Sequence, residues 1–228
     1  MVDDSRSHPD EAQSVLARQA RHYNTRVRTL GQQSHLALER LLQAAFKQGV
    51  SDALLIAAER LQVDPRLAEL CLPPQCPHYG KSLHCPPFTP SPDDFRASLA
   101  QYEQALVFKF DLPAAVLLSE ERHPYARRVH QIAAALEQQA LAEGFAHALG
   151  LAAGSCKPLF CHDEVNCSAL QPGSVCRFPD QARPSLSAVG LDFFDLCRQL
   201  GWQIERITRA SDPASAPAGM LAGLTLLG

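Results

Sequence analysis

The sequence predicts an α/β or α+β sandwich, in which a mixed sheet is flanked by helices and carries two cysteine-rich loops. Short apolar segments of strand length alternate along the chain with segments whose apolar residues recur at helical spacing. Forty-six per cent of the 228 residues are hydrophobic, which is enough for a globular core. Two stretches rich in proline and cysteine interrupt the alternation, and proline excludes regular helix and central strand there.

Residues 1–50 are predicted to form a helical N-terminal extension, and residues 51–228 a single α/β domain. One amphipathic helix is expected from about Asp10 to Tyr23. A second helix has Ser34 as its N-cap and Gly49 as its C-terminal stop. Its apolar residues at helical spacing are Leu38, Leu41, Leu42, Ala45 and Phe46.

The domain is predicted to alternate strands with helices. Apolar runs predict strands at Ala53–Ala58, Ala105–Phe110, Phe145–Ala153, Trp202–Thr208 and Gly219–Leu227. Helical spacing and capping residues predict a turn from Asp64 to Cys71 and helices from Pro92 to Tyr102, Ser119 to Gly144 and Ser185 to Gly201.

Composition excludes several classes of protein. The net charge of −3 does not suit an electrostatic nucleic-acid binder, and no apolar stretch is long enough to span a bilayer. The start of the chain, Met1-Val-Asp-Asp-Ser-Arg, is polar and lacks a signal segment, so we expect a cytoplasmic protein. In that reducing compartment, cysteines bind metals or do chemistry more often than they form disulfides.

Seven of the eight cysteines fall into two clusters on proline-rich stretches. The first cluster consists of Cys71, Cys76 and Cys85, and the second of Cys156, Cys161, Cys167 and Cys176. Thiolates gathered on irregular loops are a usual way to hold a soft metal or an iron–sulfur cluster. Cys197 instead lies on an apolar helical face, which predicts a packing role.

The spacing of the cysteines favours an iron–sulfur cluster of the 4Fe–4S type over zinc. Zinc sites favour tight pairs with C-x2-C spacing, and neither cluster contains such a pair. Gaps of four, five and eight residues suit a bulkier inorganic core. Zinc remains the alternative cofactor, and a disulfide or a redox-active thiol is a third interpretation.

The division into three and four cysteines leaves the fourth ligand of the first group open. The candidates are His78 or His84, a water or substrate, and a cysteine of the second loop. His162 follows Cys161 directly and is a further candidate ligand. Three cysteines with an open corner would be the catalytic arrangement of metal sites in general.

Basic residues beside the cysteines are candidates for binding the cofactor. Lys81, Lys157, Arg177 and Arg183 are placed to donate charge-assisted hydrogen bonds to an anionic cluster or a bound anion. Solvated loop charges are the alternative. Asp163 and Glu164 are interpreted as a polar loop tip rather than as a base or ligands.

Two composite motifs resemble those of a known family. The first is Cys71…Cys76-Pro-His-Tyr-Gly-Lys-Ser…Cys85-Pro-Pro-Phe, and the second runs from Ala152-Ala-Gly-Ser-Cys156 through Cys176-Arg-Phe-Pro to Ala182-Arg-Pro-Ser-Leu-Ser-Ala-Val-Gly-Leu-Asp192. Together they resemble the DUF2284 family of predicted metal-binding proteins, over about Ala53 to Ile207. The resemblance implies metal or iron–sulfur binding with the seven clustered cysteines as candidate ligands, and supplies no reaction.

The function expected from the sequence is that of a metal-binding protein. Its leading form is an iron–sulfur protein that transfers electrons or activates a partner metalloenzyme, so a redox or metalloenzyme partner is expected. The alternative is a zinc-stabilised binding module without redox activity. A thiol enzyme in which Cys85 or Cys156 reacts directly is the third hypothesis.

Overall fold

The fold is built on one four-stranded sheet. A computed structural model describes residues 32–204, 207, 212 and 218–228. The strands are β1 (Asp52–Ala57), β2 (Gln104–Leu112), β3 (Ala148–Ala152) and β4 (Gly219–Leu227). They lie in the order β1-β2-β4-β3. The helix expected from Asp10 to Tyr23 lies outside the described residues.

The three strand pairings are antiparallel, which makes the α+β alternative the one that the fold adopts. A parallel bridge between Ala152 and Ser185 at the β3 edge is the only parallel pairing in the described part of the chain. The predicted mixed sheet is therefore mixed only at this edge. The bridge brings the chain after the second cysteine cluster back to the end of β3.

Seven α-helices among the described residues flank the sheet or connect its strands. They are α1 (Gln32–Lys47), α2 (Pro65–Glu69), α3 (Pro92–Ser98), α4 (Ala114–Leu117), α5 (Arg122–Ala142), α6 (Lys157–Phe160) and α7 (Phe193–Leu200). The starts of α2, α3 and α7 are capped by the side chains of Asp64, Ser91 and Asp192, which accept hydrogen bonds from backbone N–H groups. The sandwich predicted from the sequence is confirmed.

The strands are buried on both faces, which explains their continuous apolar runs. On one face, α1 and α5 cover the sheet, and the core includes Leu38, Leu41, Leu55, Leu106, Phe108, Val129, Ile132 and Leu136. On the other face, α3, α7 and the chain before α7 form a second core with Leu54, Ile56, Phe95, Val107, Leu186, Leu196, Leu224 and Leu226. Neighbouring residues of β1 and β2 alternate between these cores.

The predicted helix from Ser185 to Gly201 is split in two. A 3₁₀ turn covers Ser187–Val189, and α7 begins only at Phe193. Gly190 separates them in the left-handed region with φ 73°, and a Cβ there would lie 2.9 Å from the carbonyl oxygen of Asp64. The close backbone approach breaks the helix that the apolar spacing predicted.

The predicted strand from Trp202 to Thr208 is wrong for its described residues 202–204 and 207, which are not in a strand. Gly201 turns the chain with φ 71°, and the N–H of Trp202 donates to the carbonyl of Cys197 at 2.9 Å. Trp202 Nε1 also donates to Asp52 Oδ2 at 2.8 Å. Trp202 and Ile204 instead pack in the core that α7 forms on the sheet.

The fold places both cysteine-rich stretches at one end of the sheet. We define the first cysteine loop as Cys71–Cys85 and the second cysteine loop as Cys156–Cys176. The first follows α2, and the second begins four residues after β3 ends. The helices of the described residues include none that is long and apolar enough to cross a membrane.

Candidate metal centre

Backbone hydrogen bonds bring the two cysteine loops to the same place. The N–H of Ala152, at the end of β3, donates to the carbonyl of Pro184 at 2.9 Å, and the N–H of Leu186 donates back to Ala152 at 3.1 Å. The N–H of Ser185 then donates to the carbonyl of His84 in the first cysteine loop at 3.4 Å. The chain that follows the second loop is thus tied to the first.

The second cysteine loop packs on the start of α5. Leu159 and Phe160 of α6 are buried against Ala126 and Ala182, together with Cys156 and Cys161. Lys157 is 7% exposed, and its Nζ donates to the backbone carbonyls of Cys161 and Glu164. A buried ammonium needs such acceptors. Lys157 is therefore an ordering residue of the loop, a role that its sequence position did not indicate.

Side-chain contacts cross from one cysteine loop to the other. Ser82 Oγ of the first loop lies 3.0 Å from Cys156 Sγ of the second, and either atom is able to donate. The thiol of Cys85 donates to Ser155 Oγ at 3.2 Å. His84 Nδ1 lies 3.6 Å from Cys156 Sγ. Cys85 and Cys156 thus each have a partner on the opposite side of the site.

The remaining contacts to sulfur come from residues next to the loops. The thiol of Cys71 lies 3.8 Å from Ser187 Oγ, and the N–H of Phe178 donates to Cys176 Sγ at 3.4 Å. Sequence reasoning missed all three serines that contact sulfur. A usable signal is present only for Ser155, which directly precedes Cys156. Ser82 and Ser187 become neighbours of sulfur only through the folding of the loops.

Burial governs the protonation of the two central thiols. Burial raises the pKa of Cys156 to about 12; the hydrogen bond from Ser82 opposes this shift, while the charges of Cys85, Cys176 and Cys167 add to it. Burial also raises the pKa of Cys85; the hydrogen bond with Ser155 opposes it, and the charges of Cys76, Cys71 and Cys167 reinforce it. The thiols therefore interact electrostatically across both loops.

The outer cysteines belong to the same electrostatic group. Burial raises the pKa of Cys161, and the charges of Cys167 and Cys176 add to the shift, while Arg177 and Lys157 oppose it. Burial likewise raises the pKa of Cys71, with a contribution from Cys76. Each of the seven clustered cysteines thus takes part in at least one such interaction.

The raised pKa values of these cysteines do not suit a thiol enzyme. A reactive cysteine has a lowered pKa, because the thiolate is the nucleophile. Cys85 and Cys156 have raised pKa values and are 4% and 6% exposed. The hypothesis that either thiol reacts directly as an activated nucleophile therefore has no support from the site.

The cysteine sulfurs suit a soft metal or an iron–sulfur cluster, although the side chains do not surround a common centre. All eight cysteines are free thiols. Among the described residues, no group of three or more His, Cys, Asp or Glu side chains is placed so that it could hold a metal ion. Binding would thus require the loop side chains to draw together. The chemistry of the side chains fits a soft metal or an iron–sulfur cluster, since the ligands are soft sulfurs and hydroxyl and amide groups beside them are able to donate hydrogen bonds.

Two of the candidate histidines have lowered pKa values. Burial, followed by the charge of Arg183, lowers the pKa of His84 to about 4. Burial also lowers the pKa of His78, with contributions from Lys81 and Lys157. Both rings are therefore neutral at pH 7, which is the state that ligates metals. His162 is exposed on the second loop.

The predicted cofactor-binding cations have different surroundings. Arg183 is buried, and its three guanidinium nitrogens donate to Glu137 and to the carbonyls of Pro179 and Ala182. Arg177 pairs with Glu164 at 2.6 Å and lies 3.5 Å from Asp163. Lys81 is exposed on the first loop. The contacts of Arg183 favour a structural role. Arg177 and Lys81 lie on or beside the cysteine loops, where their positive charges act on neighbouring side chains.

Cys197 lies away from this group. Its side chain is fully buried in the core between α7 and the sheet, where Sγ is 3.9 Å from Met220 Sδ. It is therefore a packing residue, as its position on an apolar helical face predicts.

The fold and the site define a class: an α+β protein with seven thiols on two loops at one end of an antiparallel sheet. A family model of predicted metal-binding proteins, DUF2284, matches residues 54–222. The chain belongs to this family. The comparisons with curated proteins and with solved structures find no match.

Proposed function

We propose that the protein carries one or two iron–sulfur clusters of the 4Fe–4S type on its two cysteine loops. It would use them to transfer electrons or to activate a partner metalloenzyme. The observation that carries the proposal is the meeting of the loops at Cys156. This thiol touches Ser82 and His84 of the first loop and is coupled by charge to Cys85, Cys167 and Cys176. Thiolates so placed repel one another until cations neutralise them.

The proposed ligands are the seven clustered cysteines, held on irregular loops by neighbouring elements. Cys71, Cys76 and Cys85 would serve from the first loop, and Cys156, Cys161, Cys167 and Cys176 from the second. The contact between loops favours a cysteine of the second loop as the missing partner of the first group. When bound, the cluster would supply one-electron chemistry.

The chain's own residues would tune that chemistry. Ser82 and Ser155, together with the N–H of Phe178, contact sulfurs and would stabilise negative charge on them. Arg177 and Lys157 lower the pKa of Cys161 and so favour its thiolate form. Electron transfer requires a donor or an acceptor, so the proposal includes a redox or metalloenzyme partner.

Anaerobic purification with assays of iron and acid-labile sulfide tests the proposal. A loaded protein should be coloured and contain about four irons and four sulfides for each cluster. Cys156→Ala should lose most of both, because this residue links the loops. Cys197→Ala is the matched control, since it removes a buried cysteine outside the site, and it should retain both.

Two results would overturn the proposal. One is a colourless protein that takes up no iron even after reconstitution with iron and sulfide. The other is native mass spectrometry that finds one or two zinc ions and no sulfide, which would establish the zinc-stabilised module instead.

A further inference from the structure

A cavity of about 730 Å³ lies beside the cysteine loops, between α2, α4, the start of α7 and the start of β4. Its walls are largely leucine, isoleucine, phenylalanine and methionine side chains, including Leu67, Leu117, Phe193 and Met220. Pockets of 300–1,000 Å³ with apolar walls and few polar groups are typical of small-molecule sites. Neither the family description nor the proposed ligand set assigns this cavity a role.

The cavity leaves apolar side chains in contact with solvent. Leu70 is 46% exposed and Phe194 38% exposed, and both line it. These residues lie on different elements, α7 and the end of α2, yet face the same space. Covering such surface with an apolar ligand is favourable, because it removes apolar area from water.

Among the described residues, the charged ones in the cavity wall are Glu120 and Arg122. Glu120 Oε2 lies 2.9 Å from His123 Nδ1, so the nearest side chain to this carboxylate is the imidazole ring. Arg122 Nη1 donates to the carbonyl of Ser119 at 3.2 Å, while Nη2 lies 4.0 Å from Glu120, beyond hydrogen-bond distance. A guanidinium has five N–H donors, so Arg122 has donors left for an anionic group.

We infer that this cavity binds a small organic acid with an apolar body, whose carboxylate pairs with Arg122. The apolar walls would bury the body, and Arg122 would hold the head group near the start of α5. Ser187, which contacts Cys71 Sγ, also lines the cavity, so the ligand would lie next to the first cysteine loop. The inference does not depend on which metal or cluster the loops hold.

Calorimetric titration of the full chain with decanoate, and with decanol as the neutral probe of equal chain length, tests the inference. Decanoate should bind more tightly than decanol. Arg122→Gln should weaken decanoate binding roughly tenfold and leave decanol binding unchanged, since decanol has no charge to pair with the guanidinium. Arg198→Gln is the matched control, because Arg198 is an exposed helical arginine paired with Asp195 and lies outside the cavity wall.

A second variant tests the location of the apolar body. Leu67→Trp should fill part of the cavity and weaken both probes, whereas Leu141→Trp adds the same ring on α5, away from the cavity, and should change neither. If Leu67→Trp does not fold, the inference is still tested by whether Arg122→Gln weakens the binding of decanoate but not of decanol.

Three outcomes would overturn the inference: absent decanoate binding, equal binding of decanoate and decanol, or a folded Leu67→Trp that binds like the unaltered protein. Iron and sulfide are measured on the same samples. Decanoate binding without iron would contradict only the proposed function, and iron without decanoate binding would contradict only the ligand site.

Discussion

At the scale of single residues, Cys156 shows how the fold makes one site from two separated motifs. It is 71 residues from Cys85 in the chain, yet the charge of Cys85 contributes to its raised pKa. Its sulfur lies 3.0 Å from the Oγ of Ser82, a residue that is itself 1% exposed. A buried hydroxyl beside a sulfur stabilises negative charge at low dielectric.

The loss of this hydroxyl should lower the reduction potential of the loaded protein. Ser82→Ala removes a hydrogen-bond donor to the sulfur of Cys156, and such donors favour the more negative, reduced state of a cluster. A potentiometric titration measures the shift. Ser168→Ala is the control, because Ser168 lies in the second cysteine loop, as Cys156 does, but donates to the carbonyl of Val175. An unchanged potential in Ser82→Ala would contradict the role given to the hydroxyl.

Buried His130 should make the fold sensitive to acid. Burial lowers its pKa to about 3, with contributions from His84 and Arg183, whereas an unfolded histidine has a pKa of 6.5. Between these values the unfolded chain binds more protons, so stability falls as pH falls below about 6.5. From pH 7 to pH 5, this one group should cost about 2 kcal/mol of unfolding free energy.

The variant His130→Asn tests this contribution, because its side-chain oxygen is able to accept from the N–H of Arg183, as Nδ1 does at 3.1 Å. Urea unfolding at pH 7 and pH 5 should show a smaller loss of stability in the variant than in the unaltered protein. His84, whose pKa is lowered to about 4, remains and should maintain part of the pH dependence. Equal losses in both proteins would show that His130 does not carry the effect.

At the scale of elements, Glu137 of α5 connects three parts of the fold. Its carboxylate accepts from Arg183 Nε and Nη2, each at 2.9 Å, and from the N–H of Gly150 in β3 at 2.6 Å. Helix α5, strand β3 and the chain after the second cysteine loop therefore share one largely buried ion pair. Sequence reasoning placed Arg183 near the cofactor because it follows Cys176, and its acidic partner on α5 could not be inferred from spacing.

Glu137→Gln should destabilise the protein by about 3 kcal/mol, because it leaves the buried guanidinium without a charge partner. Chemical denaturation measures the change. Asp93→Asn is the matched control, since it neutralises an exposed acid paired with Arg96, and it should cost at most about 1 kcal/mol. A similar small cost for both variants would show that the pair around Arg183 contributes little.

At the scale of the whole molecule, the raised thiol pKa values link metal uptake to pH. Ligation requires thiolates, whereas burial raises the pKa of Cys71, Cys85, Cys156 and Cys161 and keeps them protonated at pH 7. Metal binding must therefore release protons. Affinity should rise with pH, by about tenfold per pH unit for each proton released.

Calorimetry of the metal-free protein with Cd²⁺, a soft ion that prefers thiolates, measures this release. The observed heat should depend on the ionisation enthalpy of the buffer, and the affinity should be higher at pH 8 than at pH 6. Cys156→Ala should release fewer protons, and Cys197→Ala should match the unaltered protein. Binding that is independent of both buffer and pH would contradict thiol ligation.

The sequence predicted most elements because their signals are local. Asp64 and Gly49 lie at helix ends, as predicted, and β1, β2 and β4 match apolar runs. Ser34, the predicted N-cap, instead lies inside α1, which begins at Gln32. The two errors near the C-terminal end have different causes. Gly190 adopts positive φ where a Cβ would lie 2.9 Å from the carbonyl oxygen of Asp64, a residue far away in the chain. Gly201 is the local C-terminal cap of α7, and Trp202 and Ile204 after it pack in the core instead of pairing as a strand.

The sequence by itself determined a sandwich of helices on a sheet, the family and the seven cysteines on two irregular loops, because periodicity, proline and spacing are properties of the chain alone. Only the tertiary structure decided that the two loops meet, which serines contact their sulfurs, and where the apolar cavity beside them lies. These features depend on pairs of residues far apart in the chain. The sheet and α5 bring them together through burial, which no local pattern records.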